Sequence, residues 1–255
     1  MKRFLPVSLL LAPLLMTACS RAGRIGVVLP KDTGDIGAAT LDQARGGDAN
    51  AQYELGLLQL SAKDPAERQV AIRLVEQAAM QGKIEAQAKL GAVLLAGDGV
   101  PQDYAKAVEW LKKAVAQGSD VGQYALGIAY HDGKGVLRNF SQSIKLWKDS
   151  ALQGYAPAQT KLGQAYELGE GVTADPVRAA EWYQKAADRS DVAGQYHLGL
   201  LYEQGIGVPK DRAKALEWFS KAAALGYKPA QQKVPTAGSS APAKKPKAAK
   251  KVTPQ

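Results

Sequence analysis

Residues 194–208 read GQYHLGLLYEQGIGV, and variants of this string recur at a fixed spacing along the chain. The Leu-Gly pair inside the string occurs five times, at Leu55-Gly56, Leu90-Gly91, Leu126-Gly127, Leu162-Gly163 and Leu198-Gly199. The steps between these glycines are 35, 36, 36 and 36 residues. Because such a period is typical of one supersecondary unit used repeatedly, the spacing predicts an extended array. Arrays of this kind bind other molecules along a surface and rarely enclose a catalytic pocket.

Each repeat contains two predicted helices separated by a glycine loop. The first helix carries a small residue, glutamine and then Leu-Gly, at positions that share one helical face. It ends at Gly-x-Gly-Val because glycine adopts the left-handed cap conformation without strain, and this motif occurs at residues 97–100, 133–136, 169–172 and 205–208. An Asp or Asn then caps the second helix, at Asp64, Asp103, Asn139, Asp175 and Asp211.

A tryptophan follows the capping residue by seven or eight positions in the last four repeats, and an alanine lies four residues beyond it. These tryptophans are Trp110, Trp147, Trp182 and Trp218. Stacking on a ligand is an alternative role, but the fixed place beside alanines predicts that all four belong to the core. Glutamate–lysine pairs four residues apart, such as Glu181 and Lys185, predict ion pairs on the outside of the second helices.

The combined string resembles the Sel-one-like repeat, a relative of the tetratricopeptide repeat, over about residues 50–230. This resemblance implies an all-α, right-handed superhelical α-solenoid of helix-turn-helix repeats, with about five complete units plus a capping helix, over residues 36–233. The first repeat departs from the pattern, because residues 61–63 replace Gly-x-Gly-Val and Val75 replaces tryptophan. Residues 36–50 resemble a lone second helix that caps the array, and Ala230-Gln231 begins a sixth repeat.

The N-terminus has the pattern of a secretory signal. Lys2-Arg3 precedes an apolar stretch, and the stretch ends at residues 16–19, which read MTAC. This end resembles a bacterial lipobox, which implies a lipoprotein signal peptide over residues 1–18, lipidation of Cys19 and a tether over residues 19–35. Because Ser20 rather than Asp follows the cysteine, the resemblance favours the outer membrane. The alternative is an ordinary signal peptide with an incidental cysteine.

The positive charge is concentrated at the C-terminus. The formal net charge of the whole chain is +9, and residues 234–255 form a tail rich in lysine, proline and alanine that we expect to be disordered. Its basic residues are Lys244, Lys245, Lys247, Lys250 and Lys251. With a secretion signal on the same chain, an anionic envelope polymer is a better candidate ligand than nucleic acid. A solubilising role for the tail is equally compatible with its charge.

The sequence lacks the motifs of common catalytic and metal sites. His131 and His197 are the only histidines, and neither has a Cys or His partner at metal-ligand spacing. The Gly-x-Gly loops follow helices and recur in one register, which indicates turns rather than phosphate-binding loops. We therefore expect no enzymatic activity, no metal and no cofactor. The single cysteine also separates the chain from the cysteine-paired Sel-one-like proteins linked to β-lactam hydrolysis.

The first-helix positions off the core vary among repeats, and we call this surface the first-helix face. Related solenoids line their concave side with first helices, so these positions are candidates for partner binding, although simple solvation is an alternative. The candidates are Glu54, Lys89, Asp132, Lys161, His197 and Gln204.

The sequence favours a membrane-anchored periplasmic scaffold or adaptor that mediates protein–protein interactions in an envelope assembly. The family resemblance offers secretion, polysaccharide export, pilus machinery and signalling as settings, without choosing among them. The alternative is a peptidoglycan or anionic-glycan binding module that uses the concave face and the basic tail. Both hypotheses place the chain in the bacterial cell envelope, held by its N-terminal lipid.

Overall fold

The computed structural model describes residues 38–62 and 64–234, and within them the chain forms twelve α-helices and no strand. The helices are α1 (Ala38–Gly46), α2 (Ala49–Gln59), α3 (Pro65–Met80), α4 (Ile84–Ala96), α5 (Tyr104–Ala116), α6 (Asp120–Asp132), α7 (Phe140–Leu152), α8 (Ala156–Leu168), α9 (Pro176–Asp188), α10 (Val192–Gln204), α11 (Arg212–Ala224) and α12 (Lys228–Gln231). The predicted all-α repeat fold is confirmed. The signal peptide, the tether and all but the first residue of the tail lie outside the described residues.

The chain divides after Lys83 into two compact units. In the first unit, α2 and α3 form a helical hairpin, repeat 1, and α1 packs on α2 where the capping helix is predicted. In the second unit, α4/α5, α6/α7, α8/α9 and α10/α11 form the hairpins of repeats 2 to 5. There the second helix of each hairpin contacts the first helix of the next, and α12 continues this order by packing on α11.

The caps form as the sequence predicts. Asp103 accepts a hydrogen bond from the backbone N–H of Lys106 at 3.0 Å, and Asn139 accepts one from Gln142 at the same distance. Asp64, Asp175 and Asp211 cap their helices in the same way. The first helices of repeats 3 to 5 end at Gly133, Gly169 and Gly205 in the left-handed conformation.

The second glycine of the Gly-x-Gly loop has a role that its spacing did not reveal. A Cβ on Gly207 would overlap the carbonyl oxygen of Pro176, and one on Gly135 would overlap the carbonyl oxygen of Tyr104. Both carbonyls belong to the first turn of the second helix in the preceding repeat. The loop therefore packs backbone against backbone onto its neighbour, and only glycine allows this approach.

The glycine of each Leu-Gly pair faces one large side chain from the second helix of the same hairpin. A Cβ on Gly163 would lie 2.6 Å from the ring of Tyr183, and one on Gly199 would lie 2.6 Å from the ring of Phe219. The equivalent partners are Val75, Leu111 and Trp147, so a position 36 residues apart holds the central core residue of every repeat. The size of this side chain changes, whereas the glycine opposite it does not.

The prediction that all four tryptophans belong to the core is fully met only by Trp147, while Trp182 and Trp218 pack against the core from its edge. Trp147 is 3% exposed, but Trp110, Trp182 and Trp218 are only partly buried. A lysine three residues later covers each of these three rings, at 3.9 to 4.0 Å from the ring centre. Trp147 differs because it follows its capping Asn by eight residues rather than seven, and one residue rotates a side chain by about 100° around a helix.

The predicted ion pairs outside the second helices form only in part. The predicted pairs are Glu109–Lys113, Glu181–Lys185 and Glu217–Lys221. Among the described residues only Lys221 and Glu217 form an ion pair, at 2.7 Å. Lys113 and Lys185 instead lie over Trp110 and Trp182. The lysine stems thus shield apolar rings from water, a role that charge spacing alone does not indicate.

Candidate functional site

Polar side chains of successive repeats meet along the first-helix face of the second compact unit. The position two residues before the Leu-Gly glycine holds Lys161 in repeat 4 and His197 in repeat 5. The position four residues after that glycine holds Glu167 and Glu203. Glu167 lies 3.9 Å from Nδ1 of His197, and Glu203 binds Nζ of Lys233 at 2.7 Å, where Lys233 continues the register beyond α12. The same two register positions are therefore in contact in two successive places.

His197 lies in a packed cluster rather than in open solvent. Its ring stacks on Tyr183 with 5.0 Å between ring centres and 9° between planes, and its Nε2 lies 3.3 Å from Nε2 of Gln164. The hydroxyl of Tyr183 donates a hydrogen bond to Glu167 at 2.6 Å. Burial, together with the bond to Glu167, raises the pKa of Tyr183 well above its ordinary value. This cluster joins α8, α9 and α10 and stabilises the contact between repeats 4 and 5.

We expect acidification to weaken the fold through His197. Burial lowers the pKa of His197 below its ordinary value of 6.5, and Glu167 only partly offsets this. Below about pH 6.5 the unfolded chain therefore binds more protons at His197 than the folded chain does. The free energy of unfolding consequently decreases as the pH is lowered through this range. Urea unfolding at about pH 7.5 and about pH 5.5 should show a smaller difference for His197→Gln than for the parent protein. The His131→Gln variant retains His197 and should still lose the stability that His197 contributes between the two pH values. If His197→Gln showed the same pH difference as the parent protein, His197 would not be the group responsible.

A second charged cluster surrounds His131. Its Nδ1 lies 2.8 Å from Oδ1 of Asp132, and its Nε2 lies 3.1 Å from Oε2 of Glu170 in the next repeat. Lys134 binds the other oxygen of Asp132 at 2.9 Å. Partial burial raises the pKa of Asp132, but the hydrogen bonds from His131 and Lys134 outweigh it and lower the pKa below its ordinary value. The carboxylate of Asp132 is therefore held ionised within its own repeat.

The six candidate binding residues do not form one group. Lys161 and His197 lie together, because Gln164 contacts both, with Nζ of Lys161 at 3.1 Å from its Oε1. Asp132 belongs to the His131 cluster. Glu54 is exposed in the first compact unit, and Lys89 and Gln204 lie elsewhere on the second. Their role in partner binding stays a prediction. Cys19 and the five tail lysines lie outside the described residues.

Sequence reasoning missed several members of these clusters, among them Gln164, Glu167 and Glu170. They lie one, four and seven residues after the Leu-Gly glycine of repeat 4, so the repeat register itself contained the signal. Within residues 38–62 and 64–234, no group of three or more His, Cys, Asp or Glu residues has the arrangement of a metal site. In the same part of the chain, no helix has the length and apolar character needed to cross a membrane.

The Sel1 repeat model matches the chain in five segments, residues 49–83, 84–119, 121–155, 156–191 and 192–227. These segments correspond to the five helical hairpins. No curated protein matches the chain.

Solved structures include similar proteins. A protective antigen of uropathogenic Escherichia coli that displays an SLR fold is 38% identical with a TM-score of 0.63, over 76% of this chain and 42% of that protein. A Sel1 repeat protein from Oxalobacter formigenes is 33% identical with a TM-score of 0.64, over 76% of this chain and 57% of that protein. The chain thus spans less than two thirds of either relative. Five matched repeats, each folded as a helical hairpin, show that the chain belongs to the Sel1 repeat family.

Proposed function

We propose that this protein is a membrane-anchored periplasmic scaffold or adaptor for an envelope assembly. Sel1 repeat proteins generally mediate protein–protein interactions, and the five matched repeats carry the proposal. Solenoids of this family are typically non-catalytic, which also favours binding over a reaction. The Leu-Gly pair and an apolar residue packed opposite its glycine recur in every repeat, whereas exposed side chains at positions such as Glu54 and Gln204 change from repeat to repeat. Exposed side chains that vary on a repeated backbone scaffold give such an array a surface specific for its partner.

The proposed location rests on the N-terminal sequence. Residues 1–18 have the pattern of a lipoprotein signal, and Cys19 is the only cysteine of the chain. An N-terminal lipid with several acyl chains anchors a protein stably, whereas a single chain gives only marginal binding. Ser20 after the cysteine supports sorting to the outer membrane, with the array facing the periplasm.

Replacing Cys19 with serine should release the protein from the membrane or leave the precursor unprocessed. Metabolic labelling with a fatty-acid analogue, followed by membrane fractionation, measures both effects. The parent protein should carry label and sediment with outer membranes, and Cys19→Ser should carry none. Ser20→Ala is the matched control, since it alters the neighbouring residue and keeps the acceptor thiol. An unlabelled and soluble parent protein would refute the lipid anchor.

The second candidate function is binding of peptidoglycan or another anionic envelope polymer. The observation that favours it is the cluster of five tail lysines, with no acidic residue between Lys244 and Lys251. A cationic segment next to an anionic polymer gains affinity that depends on salt, because exposed charges are screened over about 10 Å at 0.1 M ionic strength.

Deleting residues 241–255 should leave the melting temperature unchanged and weaken retention on the anionic polymer at low salt. Pull-downs on purified peptidoglycan and on anionic lipid vesicles would identify the target. Changing the five tail lysines to glutamine should reproduce the deletion, whereas changing them to arginine keeps the charge and should preserve retention. Equal retention of the full-length and truncated proteins would assign the tail a solubilising role instead.

A further inference from the structure

In each of the first three repeats, a side-chain hydrogen bond joins two glutamines at equivalent positions. The residue that caps the C-terminus of the second helix donates from its side-chain amide to the glutamine near the start of the first helix. The bonds are Gln81 to Gln52 at 2.9 Å, Gln117 to Gln87 at 2.7 Å, and Gln153 to Gln123 at 2.8 Å. Each bond joins the two helices of one hairpin at the same end.

Repeat 4 lacks this bond because Arg189 stands where repeats 1 to 3 have glutamine. Gln159, its expected partner, is 4% exposed and donates through Nε2 to the carbonyl of Ala151 at 3.1 Å. The Oε1 atom of Gln159 is buried and has no hydrogen-bond partner. An unsatisfied buried acceptor of this kind costs about 1–3 kcal/mol, so a donor that reached it would be favoured. The guanidinium of Arg189 lies over Gly154 instead, where a Cβ would come within 3.0 Å of it.

A cavity of about 590 Å³ lies beside Gln159, between the end of α7 and the last turns of α9. Its volume is within the range of ligand-binding sites, and the cavity is open to solvent on one side. Gln159 contributes the unsatisfied acceptor, and Lys185 and Arg189 contribute two cations. The only carboxylate in the lining is that of Asp188, which already accepts a hydrogen bond from Gln184 at 2.8 Å. The cavity therefore presents positive charge around one buried acceptor.

The remaining lining is apolar. Leu152 is 69% exposed at the end of α7, and the indole of Trp182 forms the opposite wall. In repeat 5 the corresponding oxygen, Oε1 of Gln195, is also without a partner, but there Leu225 replaces Arg189. Repeat 4 thus combines an unsatisfied acceptor, an arginine and an apolar wall.

We propose that this cavity binds the C-terminal end of a partner polypeptide. The terminal carboxylate pairs with the guanidinium of Arg189 and the ammonium of Lys185, because arginine binds carboxylates through two parallel hydrogen bonds. The last backbone N–H donates to Oε1 of Gln159, and an apolar last side chain packs between Leu152 and Trp182. A sugar acid fits less well, since its several hydroxyl groups need more polar partners than the lining provides. The inference rests on the proposed role in protein–protein interaction and names the kind of partner.

The test uses the purified full-length protein and acetyl-alanyl-leucine with a free carboxylate. Its binding should shift the NMR signals of the Trp182 indole N–H and the Gln159 side-chain amide, with a Kd of about 1 mM. The same probe with an amidated C-terminus should bind about tenfold more weakly, because it lacks the charge that Arg189 and Lys185 recognise. Shifts that do not saturate, or equal binding of the acid and the amide, would overturn the inference.

Arg189→Gln is the decisive variant because it installs the residue that repeats 1 to 3 have at this position. It should restore the glutamine bond, which satisfies Oε1 of Gln159 and raises the melting temperature, and it should weaken binding of the probe by about tenfold or more. Arg212→Gln makes the same charge change at the exposed start of α11 and should bind the probe like the parent protein. Undiminished binding to Arg189→Gln, or preferential binding of glucuronic acid, would contradict a peptide C-terminus. If the peptide test failed in this way but protein partners were found in cells, the proposed scaffold role would still hold. Recognition would then occur elsewhere on the array.

Discussion

Replacing Trp147 with alanine should lower the free energy of unfolding by about 3–5 kcal/mol, the usual cost of truncating a large buried side chain. The indole fills the space opposite Gly127 and is 3% exposed. Its N–H also donates to the carbonyl of Tyr124 at 3.2 Å, so the side chain holds α7 against α6. Urea unfolding monitored by circular dichroism measures the loss.

Trp182→Ala is the matched control, with an expected loss of only about 1–2 kcal/mol. Trp182 is partly exposed and covered by Lys185, and the central core residue of its repeat is the neighbouring Tyr183. The repeat pattern of the sequence would assign both tryptophans the same loss. Equal losses would therefore show that Trp147 and Trp182 share one environment. They would contradict the finding that Tyr183, rather than Trp182, is the equivalent of Trp147.

Replacing Gly207 with alanine should destabilise the protein by about 2–5 kcal/mol. Two costs add at this position: a left-handed backbone at φ 68°, which disfavours any side chain, and overlap of the new Cβ with the carbonyl oxygen of Pro176. The overlap is with backbone, so no side-chain rotation relieves it. Relief requires the loop of repeat 5 to move away from α9, which weakens the contact between repeats 4 and 5.

Gly226→Ala separates the two costs. Gly226 has a similar φ of 86°, but a Cβ there would meet no atom within 4 Å. Its replacement should cost about 1–2 kcal/mol, the conformational part alone. If the two alanine variants lost equal stability, the second glycine of the loop would serve only the turn, and the proposed backbone contact between repeats would be wrong.

The fold was largely predictable because the sequence repeats its local signals. The Asp and Asn caps and the glycine stops act within a few residues of themselves, and the Leu-Gly pair recurs at steps of 35 or 36 residues. The same local signals therefore predict a helical hairpin in each of the five repeats. Local rules of this kind need no knowledge of the neighbouring repeat.

The features that escaped prediction depend on helix phase or on contacts between distant residues. The one-residue difference before Trp147 is visible in the sequence, but which aromatic residue then faces Gly127 depends on the packed geometry. The contact of Gly207 with Pro176 joins two repeats, and spacing within a repeat cannot reveal it. The bond from Gln153 to Gln123 spans a whole hairpin, so the significance of Arg189 emerges only when the repeats are superposed in register.

The candidate site was predicted less well than the fold. Lys161 and His197 do lie together, but the side chains that hold them, Gln164 and Glu167, were not among the candidates. His197 and Asp132 are committed to contacts within the array, which leaves less of each free for a partner. Variation between repeats identifies a surface, whereas the hydrogen bonds decide which of its side chains are available.

Photo-crosslinking in living cells tests the central claim, that the array is an envelope scaffold for other proteins, most directly. The crosslinker is placed at Lys161 on the first-helix face and at Leu152 beside the cavity, with exposed Lys112 on α5 as the control position. The account predicts discrete, protease-sensitive adducts at position 161, 152 or both, with none at position 112, and their loss in Cys19→Ser. Adducts that consist only of sugar fragments, or no protein adduct at either test position, would contradict it.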